Sequence, residues 1–222
     1  MPGRIAAALR LVRGNVALLG GIVLAVSLPV NLLARALAAA GHATASLHAT
    51  LWGGLLLGPV SAGALVHALA CVADGRPVGW REAMSVGLAR GGRLLKAWVV
   101  SGALVLLGLV AGVVPGIVLM VRWAVLDAVV VLEDLPVVAA LGRSAALTAG
   151  RRWPILATEL ACFAVYGLVA VLFYRPAGLA DRLDGAVGAA ALDGVLDLLY
   201  ALGSVVFFVF YREARAAEEE GA

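Results

Sequence analysis

Val114-Pro-Gly-Ile-Val-Leu-Met-Val-Arg122-Trp-Ala-Val-Leu-Asp127-Ala-Val-Val-Val-Leu-Glu133 places an arginine and an aspartate inside an otherwise apolar run. A run of this length and composition reads as a membrane span. An ionised side chain inside one costs about 2.5–3.5 kcal/mol on insertion scales unless it is partnered. Arg122 therefore calls for partners on neighbouring spans. The rest of the chain agrees, with 63% hydrophobic and 14% charged residues and a mean hydropathy of +1.02. Soluble domains hold about 45–50% apolar and about 25% charged residues. A net charge of +3 is too small to point to nucleic acid.

Six apolar stretches are long enough to be membrane helices: Val16–Leu33, Leu51–Ala73, Ala97–Gly112, Gly116–Leu132, Pro154–Phe173 and Ala186–Phe210. The third and fourth are separated only by Val113-Val114-Pro115, which predicts a tight antiparallel hairpin. Orientation follows from the basic residues. One side carries Arg4, Arg10, Arg13, Arg76, Arg81, Arg90, Arg93, Lys96, Arg143, Arg151, Arg152, Arg212 and Arg215, and the other only Arg35, Arg175 and Arg182. With Arg122 these are all 17 Lys and Arg. The positive-inside rule puts both termini in the cytoplasm. Arg4, Arg10 and Arg13 before an apolar run, with Ala-x-Ala motifs near Ala36–Ala40, also look like a secretory signal. The expectation is an uncleaved span.

A shift of 59 residues aligns Pro77-Val78 with Pro136-Val137, Ser85 with Ser144, Gly91 with Gly150 and Arg93 with Arg152. It ends by pairing Gly108-Leu-Val-Ala111 with Gly167-Leu-Val-Ala170, ten identities in the 35 positions from 77 to 111. A weaker copy pairs Arg4, Leu11, Arg13 and Gly14 with Arg81, Leu88, Arg90 and Gly91. The repeat predicts an all-α integral membrane protein of one domain, six transmembrane helices in three parallel repeats. Each repeat is a short interfacial amphipathic helix followed by a helical hairpin. The units run over about 3–73, 77–132 and 136–210, with a short cytoplasmic tail at 211–222. In Trp80–Lys96, Trp80, Met84, Leu88 and Leu95 share a side, while Arg81, Arg90, Arg93 and Lys96 are polar. Such a helix suits the headgroup layer of anionic lipid or packing on the spans.

From Pro115 to Arg152 an order emerges. Pro115-Gly116 is followed by Arg122-Trp123, an apolar run ending in Glu133, Ala139-Ala-Leu-Gly-Arg143-Ser144, and Leu147-Thr-Ala-Gly150-Arg-Arg152. This order resembles the membrane domain attached to some bacterial glycerophosphodiester phosphodiesterases, and the related YciC-type envelope membrane proteins. The closest similarity covers about 40 residues, and a weaker one reaches back to about Leu55. The resemblance implies a polytopic inner-membrane protein without a defined activity of its own, and it brings no catalytic domain.

The intramembrane polar residues are Arg122, Asp127, Glu159, Asp193 and Asp197. Asp193 and Asp197 share one helical face and are the expected partners of Arg122. Asp127 and Glu159 are expected to form a second polar site with His67. These charges either lock the helices together or line a ligand pathway. Glu133, Arg143, Ser144, Arg151 and Arg152 form a second cluster. Glu133 can pair with Arg143 and pin the interfacial helix, or the arginines can hold lipid phosphate. Cys71 and Cys162 read as buried thiols. No hydrolase, Walker A or zinc-protease motif occurs, and no cofactor or metal is expected. Gly54-x-x-x-Gly58 and Gly108-x-x-x-Gly112-x-x-x-Gly116 predict close helix packing, and the few aromatics suggest no ligand cage. The expected function is non-enzymatic: binding membrane lipid, anionic phospholipid above all, or supporting a membrane-protein partner in the bacterial inner membrane. The alternative is a small transporter with a pathway at Arg122, Asp193 and Asp197; an intramembrane enzyme comes third.

Overall fold

The computed structural model describes residues 2–174 and 185–221. Arg175 and Arg182, placed above in an outer loop, lie outside the described residues. Every described element is a helix: α1 (Pro2–Arg13), α2 (Val16–Ala39), α3 (Ala43–Ala73), α4 (Trp80–Ala111), α5 (Val113–Arg122), α6 (Leu126–Leu132), α7 (Val137–Leu147), α8 (Arg152–Tyr174) and α9 (Gly185–Gly221). Six segments are long and apolar enough to cross a membrane, with α5 and α6 together forming the fourth. The chain is a polytopic membrane protein.

α3 is the central span, half buried over its apolar window, and packs on both α2 and α4. Ile22, Leu69, Leu94, Val129, Val130, Phe208 and Phe210 form the centre of the core. α8 is peripheral, with only 11% of its window buried. Its Leu168 and Val171, like Leu106, Leu107 and Val110 of α4, point outward. In a bilayer such side chains meet lipid tails and need no cover. Helix packing then rests on close contact rather than on the hydrophobic effect.

One end of the bundle collects α1, the α3–α4 corner, α7 and the C-terminal part of α9. It is joined there by ion pairs of Arg212 with Asp74 and of Arg143 with Glu218. This is the arginine-rich end. At the opposite end α4 turns into α5 through the single residue Gly112, whose φ of +151° favours glycine.

Two expectations about the elements need correcting. The basic segment Trp80–Lys96 is not a separate interfacial helix. It continues into the span as the 32-residue α4. No breaker stands between Lys96 and Ala97, whereas Gly14-Asn15 ends α1 and Gly150, at φ +75°, follows α7. The buried stripe of α4 is also not Trp80-Met84-Leu88 but the small residues Ala83, Gly87 and Gly91, followed by Leu94. The tail set at 211–222 is helical as far as Gly221, where it forms the end of α9. The fourth span, finally, is not continuous: it breaks at residues 123–125.

Gly87 marks the closest crossing of α3 and α4. A Cβ there would run into the Val60 carbonyl oxygen and lie 2.9 Å from the Ala64 nitrogen. Gly87→Ala is therefore expected to lower the thermal unfolding midpoint in detergent, since only backbone could give way. Gly92→Ala, in open space on the same helix, is expected to raise it through about 0.8–1.0 kcal/mol of helix propensity. Equal shifts for the two variants would refute the close crossing.

Candidate functional site

Asp193 and Asp197 stand one turn apart on α9 and face Asn31 and Arg35, one turn apart on the antiparallel α2. Arg35 grips Asp193 with two hydrogen bonds, Nε to Oδ2 and Nη2 to Oδ1, both 2.7 Å. Tyr174 of α8 joins them. It accepts from Arg35 Nη2 at 3.1 Å and donates to Asp193, and its ring lies 5.4 Å from the Arg35 guanidinium carbon. Asn31 Nδ2 donates to Asp197 at 2.7 Å. A bidentate arginine–carboxylate pair is among the stronger contacts available, and this one ties the first and last spans together at the end opposite the arginine-rich one.

Deeper in the bundle, the Trp98 indole donates to Asp127 Oδ1 at 2.8 Å. Asp127 lies between two cavities. The smaller, about 290 Å³, lies among α2, α3 and α9 and is lined by Ser27, Asn31, Ser61 and Asp197. The larger, about 620 Å³, is bounded by α4 on one side and α8 on the other, with α5, α6 and α9 also contributing. Asp127, Tyr200 and Ser204 line both cavities. The backbones of α4 and α8 do not approach one another, so the larger cavity is a cleft between two spans.

This cleft holds Asp127 and Glu159 together with Trp123, Phe163, Tyr166, Tyr200, Phe207 and Phe208. Glu159 has no hydrogen-bond partner among the described residues. The sparse aromatics thus do converge, contrary to the expectation from their number. Three segments far apart in sequence bring them to one place. Aromatic faces beside carboxylates suit a cation that carries apolar groups.

The break in the fourth span explains the next feature. In an unbroken helix the Leu126 N–H would donate to the Arg122 carbonyl. Here it donates to Trp123 instead, and Trp123 N–H is shared between Leu119 and Met120. The Arg122 carbonyl is left over; the Ser144 hydroxyl donates to it at 3.1 Å, and the Thr148 hydroxyl, also at 3.1 Å, shares its one proton between it and the Ser144 and Ala145 carbonyls of its own helix turn. Ser144 and Thr148 are almost completely buried. A buried carbonyl left unsatisfied would cost about 1–3 kcal/mol.

α7 is held at the arginine-rich end as well. Arg143 Nε donates to Glu133 at 2.8 Å, and its Nη1 and Nη2 donate to Glu218 at 2.8 and 2.6 Å. Hydrogen bonds from Glu218 above all, then Glu133, hold the Arg143 pKa above its ordinary value against the effect of burial. Tyr211 also donates to Glu133, at 3.1 Å. At the α6–α7 corner Asp134 takes a positive φ of 54° and receives both Arg90 and Arg93.

The polar residues picked out from sequence are thus grouped differently from the expectation. Arg122 does not meet Asp193 or Asp197, because Arg35 and Asn31 hold them. Its side-chain Nε is buried without a partner among the described residues, as is Arg151 Nη1. Asp127 and Glu159 do share a cavity, but His67 is elsewhere, beside Cys71 and Glu82. Arg152 is exposed. Sequence reading missed Asn31, Arg35 and Thr148 as site residues. A signal existed for each, since Asn31-x-x-x-Arg35 mirrors Asp193-x-x-x-Asp197, and Thr148 is one turn beyond Ser144. Compared with known families, with curated proteins and with solved structures, the chain matches none.

Removing both hydroxyls with Ser144→Ala and Thr148→Val is expected to cost about 1–3 kcal/mol, the price of one orphaned carbonyl. Hydrogen exchange over 137–148 should accelerate in the double variant, and each single variant should lose much less, since one hydroxyl still serves. Additive single effects would argue against shared capping.

Proposed function

We propose that this chain is a non-enzymatic lipid-binding protein of a bacterial inner membrane, and that the cleft between α4 and α8 receives a phospholipid with an amine in its head group. The observation that carries this reading is the pairing of two carboxylates, Asp127 and Glu159, with six aromatic side chains in a cavity of about 620 Å³. Carboxylates suit the amine, and the aromatic and aliphatic walls suit an acyl chain entering sideways from the bilayer. The unpartnered nitrogens of Arg122 and Arg151, outside the lining of the cleft itself, supply donors for a phosphate beyond it. The arginine-rich end, with both termini, then faces the cytoplasm and anionic head groups.

A second reading rests on a separate observation. The two cavities share Asp127, Tyr200 and Ser204, and the smaller reaches Asp197 near the opposite end. A small transporter would use that series of polar groups as its pathway, with Asp127 as the relay.

Native mass spectrometry of protein released gently from its own membrane tests the first reading. Wild type should retain phosphatidylethanolamine, and Asp127→Asn with Glu159→Gln should lose most of it while remaining monodisperse. Asn keeps an acceptor for the Trp98 indole, so the fold is spared. Arg122→Gln should weaken retention of every phospholipid class. Identical lipid in wild type and all variants would overturn the reading, and flux across proteoliposomes that disappears in Asp127→Asn would establish the transporter instead.

A further inference from the structure

Apart from the cleft, at the arginine-rich end, the α3–α4 corner brings together three side chains of metal-ligating type. His67 and Cys71 are one turn apart on α3, and Glu82 is in the first turn of α4. His67 Nε2 lies 3.6 Å from Cys71 Sγ and 3.5 Å from Glu82 Oε1, and the three ligand atoms all fall within 4.8 Å of one another. None of the three lines either cavity.

These separations have a chemical meaning. Zinc takes sulfur at about 2.3 Å, nitrogen at about 2.0–2.1 Å and carboxylate oxygen at about 2.0–2.2 Å in tetrahedral geometry. Such bonds at tetrahedral angles set nitrogen and sulfur about 3.5 Å apart, and nitrogen and oxygen about 3.4 Å apart. The observed 3.6 and 3.5 Å agree without any rearrangement of His67 relative to its two neighbours. The sulfur has further support, because Arg76 Nη2 donates to it at 3.3 Å. Outer hydrogen bonds of this kind hold ligands in place.

We infer that His67, Cys71 and Glu82 form a binding site for a thiophilic divalent cation, zinc by class, that clamps α3 to α4 at the arginine-rich end. Burial makes the site selective and reachable at once. Cys71 is 1% exposed, the His67 side chain 19% and the Glu82 side chain 54%. The cation enters past Glu82, and the three protein ligands leave one position for water or an exchangeable group. An open position of that kind suits reversible occupancy. This inference is independent of the lipid reading, because it shares no residue with the cleft.

Cobalt titration of the full-length protein in detergent, after chelator treatment, tests it. Wild type should develop a thiolate-to-cobalt charge-transfer band and the intense visible bands of tetrahedral cobalt at one equivalent, and zinc should bleach both. Cys71→Ser should abolish the charge-transfer band, and His67→Ala and Glu82→Gln should weaken cobalt binding at least about tenfold. Cys162→Ser, in the cleft, should leave the spectrum as in wild type. Glu82 is half exposed, so Glu82→Gln keeps the test decisive if Cys71→Ser fails to fold. Absence of the bands in folded wild type would overturn the inference, as would their persistence in folded Cys71→Ser. Either result would leave the three groups as a hydrogen-bonded corner alone.

Discussion

The structure turns on one backbone carbonyl. A transmembrane helix can stop and restart only where other groups take over its lost hydrogen bonds. The fourth span stops at Arg122, and the freed carbonyl is claimed by Ser144 and Thr148 of α7. The break lets α5 close its hairpin with α4 while α6 takes its own place against α3 and α4. It also fixes α7, a short helix that cannot cross a membrane, by giving it a buried polar duty. Glu133 and Arg143 close the same corner from the outside, and Glu218 at the far end of α9 completes it. Four segments of the chain therefore meet around a single defect.

The second fastening is at the opposite end, where Arg35 and Asn31 hold Asp193 and Asp197. Between the two fastenings α8 packs on α9 and, more lightly, on α5. It never reaches α4, and the cleft is the result. In water an opening walled by Phe163, Tyr166 and Phe207 would collapse, because apolar surface is driven together. Lipid removes that drive, since acyl chains wet such walls as well as a neighbouring helix does. The aromatic and acidic lining is thus a stable feature of a membrane protein, not a packing fault.

Much of this architecture was legible in the chain. Six apolar runs and the hairpin at residues 113–115 followed from hydropathy and spacing, because a bilayer demands about 20 apolar residues per helix. Asp127 and Glu159 were recognisable as polar groups inside the spans, since a carboxylate in such a run is costly anywhere. The partner of each charge was not legible. Arg122 looked like the cation for Asp193 because it was the cation inside the span, while Arg35 looked like a loop residue. Helix ends were equally opaque: Lys96 to Ala97 reads as a boundary by polarity, yet α4 passes through it without a break.

The chain alone determined its solvent, its helices and which residues would be expensive to bury. These are local properties, written in the length and polarity of each segment. Tertiary structure decided which expensive groups found each other, where the aromatics converged and which carbonyl needed a hydroxyl. Those outcomes depend on the rotation and height of each helix against its neighbours. Packing sets rotation and height through contacts such as Gly87 against Val60, between residues that no sequence pattern joins.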